Sequence, residues 1–282
     1  STRTPLNFIS TRHGNKLVSI LINNYNNELF IKKCVQSCLN QSYKNIEIII
    51  YDDVSSDKSK KYIKNIKSKK IKKIFNKVKN FKSGRLNQLN AIKKSFLKSK
   101  GEIIFLLDGD DAFLKNKVKY FVNIFEKNKK LEFLQDSPIY YYPKKNLKEK
   151  KILKSKKLIF HTWPYFNPTS TMAFQRNFLK KFLKEISFSN KKFETMAIDA
   201  RVMIYVYFFS KNYQILNKYL TIYTQNIRGY TISKYNYKGA TWWKRRFQFH
   251  KFVQALFLKK KKVYYKLLDY YLTYIMNLIY KN

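Results

Sequence analysis

Glycine, proline and cysteine are scarce in this 282-residue chain, at 6, 5 and 2 residues. No glycine-rich turn of the GxGxxG or GxxxxGK kind follows the first apolar run, which excludes a dinucleotide fingerprint and a P-loop. Cys34 and Cys38 sit one helical turn apart, with no second pair and no nearby His. That spacing excludes a disulfide framework and a zinc site, and reads as two core residues of one helix in a reducing compartment. Acid is the scarcest charge: 17 Asp and Glu stand against 59 Lys and Arg, for a formal net charge of +42. A long apolar run is missing too, and Ser1 to Asn15 lacks the hydrophobic core of a signal peptide and reads as a tail. The expectation is a chain kept in the cytoplasm.

A charge of this size attracts nucleic acid, anionic membrane or phosphorylated substrates. Part of it is compositional, because the chain is rich in Lys, Asn, Ile, Tyr and Phe together, the set that AT-rich codons favour. With so few acids present, a cluster of acids carries more information than usual. At 45% hydrophobic, the chain can bury one large core, or a core and a smaller C-terminal unit.

The densest acid cluster lies in GEIIFLLDGDDAFLKNK, Gly101 to Lys117. The apolar run Ile103 to Leu107 stops at Asp108-Gly109-Asp110-Asp111, and an amphipathic stretch with Val118, Phe121, Val122 and Phe125 follows. That is a buried strand delivering acid to its carboxyl end, where open α/β sheets hold their ligands. Three carboxylates within four residues repel one another unless a cation neutralises them, and hard oxygens suit Mg²⁺ or Mn²⁺. Gly109 is expected to let the backbone turn so that Asp108 and Asp110 face one ion. A solvated acidic turn capping the next helix is the plainer alternative.

The same grammar recurs along the first half. Lys16 to Ile22 is a strand ending at Asn23-Asn24-Tyr25-Asn26-Asn27, and Leu29 to Leu39 is a helix. Ile46 to Tyr51 is a second strand, broken by Asp52-Asp53-Val54-Ser55-Ser56-Asp57; Ser56 or Asp57 can cap the next helix while Asp53 faces the crevice. Lys70 to Asn76 is a short strand, Leu86 to Leu97 a helix, and Leu131 to Tyr142 a further strand. Alternation of strand and helix predicts a doubly wound α/β domain with right-handed crossovers.

Three ordered motifs, VSILINNYN, IEIIIYDDVSSD and GEIIFLLDGDDAF, resemble those of family-2 glycosyltransferases of the GT-A fold, closely over Lys16 to Tyr142. The resemblance implies a Rossmann-like, mixed-sheet catalytic domain that binds a nucleotide sugar. By the same resemblance, Asn23 and Tyr25 would lie by the base, Asp53 would accept from the uracil or ribose, and Arg85 would be near the diphosphate. Asn90 falls at the family's usual Asn, Asp108 and Asp110 would hold Mn²⁺ or Mg²⁺ and the donor, and Asp111 would support the loop. Two residues depart from the pattern: Asn23 stands for the usual proline and Val54 for the usual glycine.

In the second half, Lys144 to Lys157 is a basic connection, followed by aromatic and hydroxyl residues around Trp163, Ser170 and Thr171. The resemblance implies that this stretch lies beside the acceptor, Trp163 offering a face for a sugar; a packed loop is the alternative. Asp199 opens an apolar helix where the helix dipole favours its ionised form, and the resemblance makes it the base of an inverting transfer, with Glu194 as the alternative. Gln225 and Arg228, after the strand Leu220 to Asn226, are candidates for diphosphate contacts. The last segment mixes Trp242, Trp243, Lys244, Arg245 and Arg246 with many Phe and Tyr, which suits an anionic bilayer interface; a helical hairpin packed on the catalytic domain or on a second copy is the alternative.

The expected organisation is therefore a tail (1–15), a GT-A domain (16–235) with a donor half (16–142) and an acceptor half (143–235), and a C-terminal membrane-association or dimerisation segment (236–282). The expected activity is metal-dependent, inverting transfer from a nucleotide sugar, UDP by family habit, to a saccharide or lipid-linked acceptor in bacterial surface polysaccharide or glycolipid synthesis. Its place would be peripheral, at the inner face of the cell membrane. Two rivals stand beside it: an inactive scaffold of the same fold, and a basic nucleic-acid-binding protein. The second gives no role to Asp53, Asp108, Asp110 or Asp199, and acids in a groove would repel phosphates.

Overall fold

A computed structural model describes residues 15–150, 157–158, 161–162, 167–187, 193–194, 196–210, 212–225 and 239–280. Four parallel strands form one half of the main sheet: β1 (Val18–Asn24), β2 (Ile46–Asp52), β3 (Ile71–Phe75) and β4 (Ile103–Asp108), in the order β3-β2-β1-β4. Between them run α1 (Ile31–Leu39), α2 (Ser59–Asn65) and α3 (Gly84–Lys98). Their residues alternate between the faces: Ile20, Ile48 and Phe105 pack with α1 and with α4 (Lys117–Lys127), while Leu21, Ile49 and Leu106 pack with α3. Strands covered on both sides read as continuous apolar runs, which is why these three were visible in the sequence.

The other half is mixed. After β5 (Ala112–Phe113) and α4 come β6 (Phe133–Tyr142), β7 (Leu147–Lys150), the short pair β8 (Lys157–Leu158) and β9 (His161–Thr162), and then β10 (Met172–Gln175). β10 lies antiparallel between β4 and β6. β11 (Tyr213–Thr224) runs parallel to β6 on its other side and pairs antiparallel with β5. The helices α5 (Arg176–Glu185) and α6 (Ile198–Phe209) contribute to the α3 face.

Two helices follow, α7 (Ala240–Lys259) and α8 (Leu267–Ile279). Phe252, Val253, Leu256 and Phe257 of α7 belong to the same buried cluster as α3, α5 and α6. The packed hairpin, left open by the sequence, is therefore how α7 is used. α8 lies against α7 and keeps Leu268, Tyr271 and Ile275 exposed. Among the described residues, no helix is long and apolar enough to cross a membrane.

Candidate active site

Parallel register brings the carboxyl ends of three strands to one edge: Asn24 pairs with Asp52, and Asn23 pairs with Asp108. The loops after β1 and β2 are tied by a buried network. Asn24 Nδ2 donates to Asp52 Oδ1 at 2.8 Å and reaches Ser59 Oγ at 3.1 Å, while Ser55 N donates to Asp52 Oδ2 at 3.1 Å. Asp52 is thereby a structural acid. Asp53 faces the crevice and accepts from Asn76 Nδ2 at 2.9 Å. Between them and Ser55 the chain turns at Val54, whose φ of 59° lies in the left-handed region. A β-branched side chain is strained there, at the position where the resembled motif has glycine.

A cleft of about 190 Å³ opens beside these loops, lined by residues that include Asn23, Tyr25, Asp53, Lys79, Asn87 and Gln88. Lys79 Nζ stands 3.4 Å from the centre of the Tyr25 ring. Asp108 lies behind Gln88, whose Nε2 donates to Asp108 Oδ1 at 2.8 Å, and the Asn23 side chain also bonds to it. Gly109 N donates to Asn23 O at 2.8 Å. The role expected of Gly109 needs correction, because no described glycine has a positive φ. Space is what the position demands: a Cβ there would stand 2.8 Å from Asn24 Oδ1 and 2.9 Å from Asn27 Nδ2.

The three acids of the cluster do not share one task. Asp111 is buried and both its oxygens are engaged, one by Ser170 Oγ at 2.5 Å and the other by Thr224 N at 2.8 Å. Ser170 Oγ also accepts from Asp108 N at 2.9 Å, so a single hydroxyl links β4 to the acid loop. Asp108 and Asp110 remain half-buried, Asp108 touching the cleft residues Gln88 and Asn23. Burial pushes the Asp108 carboxyl up to about 6, against the hydrogen bonds from Gln88 and Asn23. Burial, and then the charge of Asp108, push Asp110 up to about 7. Among the described residues no group of three or more His, Cys, Asp or Glu is placed as a metal cage. Two half-buried carboxylates of which one repels the other still suit Mg²⁺ or Mn²⁺, which commonly take one or two carboxylates and complete their shell with phosphate oxygens and water.

Behind the acid loop, Lys117 Nζ is fully buried and donates to Asp136 Oδ1 at 2.8 Å, to Ser170 O at 2.9 Å and to Thr221 Oγ1. Asp199 occupies the first turn of α6, half-buried, with Ala200 N donating to its Oδ1 at 2.7 Å. Burial pushes Asp199 up to about 6; the negative charge of Asp108 adds to this, while Arg85 and Arg245 oppose it. Asp108, Arg85 and Arg245 therefore lie near enough to Asp199 to act on its charge. Glu194, the alternative base, is exposed, and its carbonyl accepts from Ser83 Oγ at 2.8 Å.

Residues 19–187 match the family model for glycosyl transferase family 2. The chain belongs to glycosyl transferase family 2. It is similar to an Escherichia coli UDP-Glc:alpha-D-GlcNAc-diphosphoundecaprenol beta-1,3-glucosyltransferase, WfaP, at 39% identity over 114 residues, 40% of this chain and 43% of that protein. It is 33% identical over 98 residues to a Campylobacter jejuni GalNAc(5)-diNAcBac-PP-undecaprenol beta-1,3-glucosyltransferase, covering 34% of this chain and 30% of that one. The matched stretch spans less than half the length of either curated relative. Among solved structures, S. aureus TarS 1-349 in complex with UDP-GlcNAc aligns with a TM-score of 0.59 at 13% identity, over 84% of this chain and 66% of that one. At that identity the likeness carries the fold, GT-A with its mixed sheet.

For this glycosyltransferase, several expected site residues lie elsewhere than the sequence suggested. Of the expected donor residues, Asn23, Tyr25 and Asp53 line the cleft, whereas Arg85, Asn90 and Asp108 do not; Asn90 Nδ2 donates to Asn80 Oδ1 at 2.8 Å, and Asn87 and Gln88 of the same helix face the cleft. Ser170 and Thr171, expected beside the acceptor, are each 0% exposed and hold the interior: Thr171 Oγ1 donates to Pro168 O and accepts from Gln135 Nε2. Gln225 follows β11 next to the Asp111 contact, its N donating to Tyr141 O at 2.7 Å. Trp163 and Arg228 lie outside the described residues. Gln88, Asn87, Lys79, Lys82 and Arg245 were not anticipated. The lysines were hidden by their abundance, and Gln88 was one helical turn from Arg85 on a helix whose phase the sequence left open.

Proposed function

We propose that the chain is a metal-dependent, inverting glycosyltransferase that moves a sugar from a UDP-sugar to a lipid-linked or saccharide acceptor in bacterial surface polysaccharide or glycolipid synthesis, at the inner face of the cell membrane. The observation that carries the reading, beside the family match, is the place of Asp199 in the first turn of α6, near enough to Asp108 and Arg85 for its carboxyl to feel both charges. Inversion by direct displacement needs one base to take the proton of the attacking acceptor hydroxyl, and Asp199 is suited to be it. Asp53 and Asn23 would hold the nucleoside, and Lys79, Lys82 and Arg85 would offset diphosphate charge. Asp108 and Asp110 would hold Mn²⁺ or Mg²⁺, which when bound supplies charge neutralisation for the departing diphosphate. UDP is favoured because WfaP is named for UDP-Glc and TarS was solved with UDP-GlcNAc. A lipid-linked acceptor is favoured because both curated relatives above are named for undecaprenol-linked ones.

Calorimetric titration of UDP, GDP and dTDP, with and without Mn²⁺, tests the donor site. UDP is expected to bind only with metal, and to be lost in Asp108→Ala/Asp110→Ala. Asp199→Asn is expected to keep donor affinity and lose about 10²- to 10⁴-fold in turnover. Unimpaired turnover would remove Asp199 from the base role, and no binding of any nucleotide would return the scaffold reading.

A further inference from the structure

α8 is built inside out. The residues it turns toward α7 include Asp269 and Thr273, each 0% exposed, and Arg246 of α7 donates to Asp269 Oδ2 at 2.5 Å. His250 of α7, also buried, bonds through Nδ1 to the Tyr264 hydroxyl just before α8. The outward stripe is apolar: Leu268, Tyr271, Ile275, Leu278 and Ile279, of which Leu268 is 64%, Ile275 52% and Ile279 59% exposed. Helices on a water-facing surface show the opposite order, with the apolar stripe in and the polar residues out. A contiguous exposed apolar face marks an interaction site.

Charge decides what covers it. Asp269 is the sole acid of α8 and is buried, so the outward face carries no negative charge. Lys259, Lys261 and Lys262, all exposed, stand at the end of α7 and in the turn that leads to α8, Lys259 Nζ donating to Glu185 O at 3.1 Å, in a chain of net charge +42. Two copies meeting through this face would bring like charges together, whereas an anionic lipid surface supplies the opposite sign. Exposed tyrosines at positions 265, 271, 274 and 280 suit the boundary between headgroups and acyl chains. A helix of 13 residues is about 20 Å long, short of the roughly 30 Å of a bilayer core, so it would lie in the membrane plane.

We infer that α8 and the lysines that precede it form the face by which this glycosyltransferase docks on an anionic phospholipid surface. This deepens the membrane-face part of the reading above and rests on it. The test is sedimentation of the whole chain with vesicles of phosphatidylglycerol and phosphatidylcholine, or of phosphatidylcholine alone, alongside UDP calorimetry. Wild type is expected to prefer the anionic vesicles. Leu268→Ser/Ile275→Ser/Ile279→Ser is expected to lower partitioning about tenfold or more, and Lys259→Glu/Lys261→Glu/Lys262→Glu to remove the preference for anionic lipid. Both variants are expected to bind UDP as wild type does, which shows that they are folded. Absence of wild-type binding to either vesicle overturns the inference, as does a serine variant that binds like wild type. So does a dimer in analytical ultracentrifugation that the serine variant abolishes, since a second copy would then cover the face. Loss of UDP binding in wild type with vesicle binding intact would instead overturn the donor-site reading alone.

Discussion

Replacing Lys117 by Met tests how the acid loop is held. The ammonium and the Asp136 carboxylate are both 0% exposed, 2.8 Å apart, in a pocket walled by Phe113 and Phe121. Removing the cation leaves Asp136 buried with, among the described residues, Leu220 N and Thr221 Oγ1 as the donors to its carboxylate. Losing one partner of such a pair costs about 3–5 kcal/mol, far more than the pair contributes over neutral groups, because the remaining charge has no water to return to. For a domain of this size that is a fall in Tm of roughly 5–15 °C. Lys117→Met/Asp136→Asn removes the orphaned charge while keeping an acceptor for Leu220 N, and is expected to recover most of the loss. Urea titration of the four proteins of this cycle is expected to give a coupling of about 2 kcal/mol or more. A Lys117→Met protein within 1 kcal/mol of wild type, or a double variant no better than the single one, would refute the reasoning. Because Lys117 also holds Ser170 O, and Ser170 Oγ holds Asp108 and Asp111, the recovered double variant is expected to bind donor more weakly than wild type.

At Val54, relief of about 1–2 kcal/mol of left-handed strain outweighs the roughly 0.5–1 kcal/mol of chain entropy that glycine adds, so Val54→Gly is expected to raise the urea midpoint slightly. A loss above 1 kcal/mol would show that its side-chain contacts outweigh the strain. Gly109→Ala is expected to cost about 1–3 kcal/mol and to weaken UDP binding, because β1 and the acid loop must part to admit the methyl; unchanged affinity by calorimetry would count against this. Asp108 and Asp199 at about 6 and Asp110 at about 7 hold their protons to higher pH folded than unfolded. Their contribution to stability is present below about pH 4 and is lost as pH rises through 6 to 7, so in chelator Asp110→Asn is expected to show a shallower fall in Tm over that window. Identical slopes would refute the shift.

The parallel half was legible because its strands are sheathed on both sides and end abruptly in polar residues. Asp108 and Asp53 were placed from that pattern alone, at the ends of β4 and β2. Of the mixed half, β6 and α6 were read, and β10 and most of β11 were not. β11 begins at Tyr213, but the exposed residues of its first turns mask the alternation, and only its last stretch read as strand. α5 carries Phe178, Leu179, Phe182 and Leu183 at helical spacing, and that signal was there to be used. Site residues failed where one side chain admits two uses. A hydroxyl such as Ser170 can meet a ligand or satisfy the interior, and only the approach of Asp111 and Lys117 from distant strands and helices decides between them.

The two apolar layers of the sheet are completed at different points along the chain. The layer over α1, α2 and α4 draws its last buried residue from Leu216, whereas the layer over α3, α5 and α6 needs Phe252 to Phe257 of α7 and then Tyr264. At ribosomal speeds of about 5–20 residues per second, the roughly 50 residues between those points take about 2–10 s to appear. Throughout that interval a nascent chain has one face complete and one that still lacks its outermost helix. A protein truncated before α7 would keep that face incomplete, with the α3, α5 and α6 side chains that Phe252 to Phe257 and Tyr264 cover left open to water.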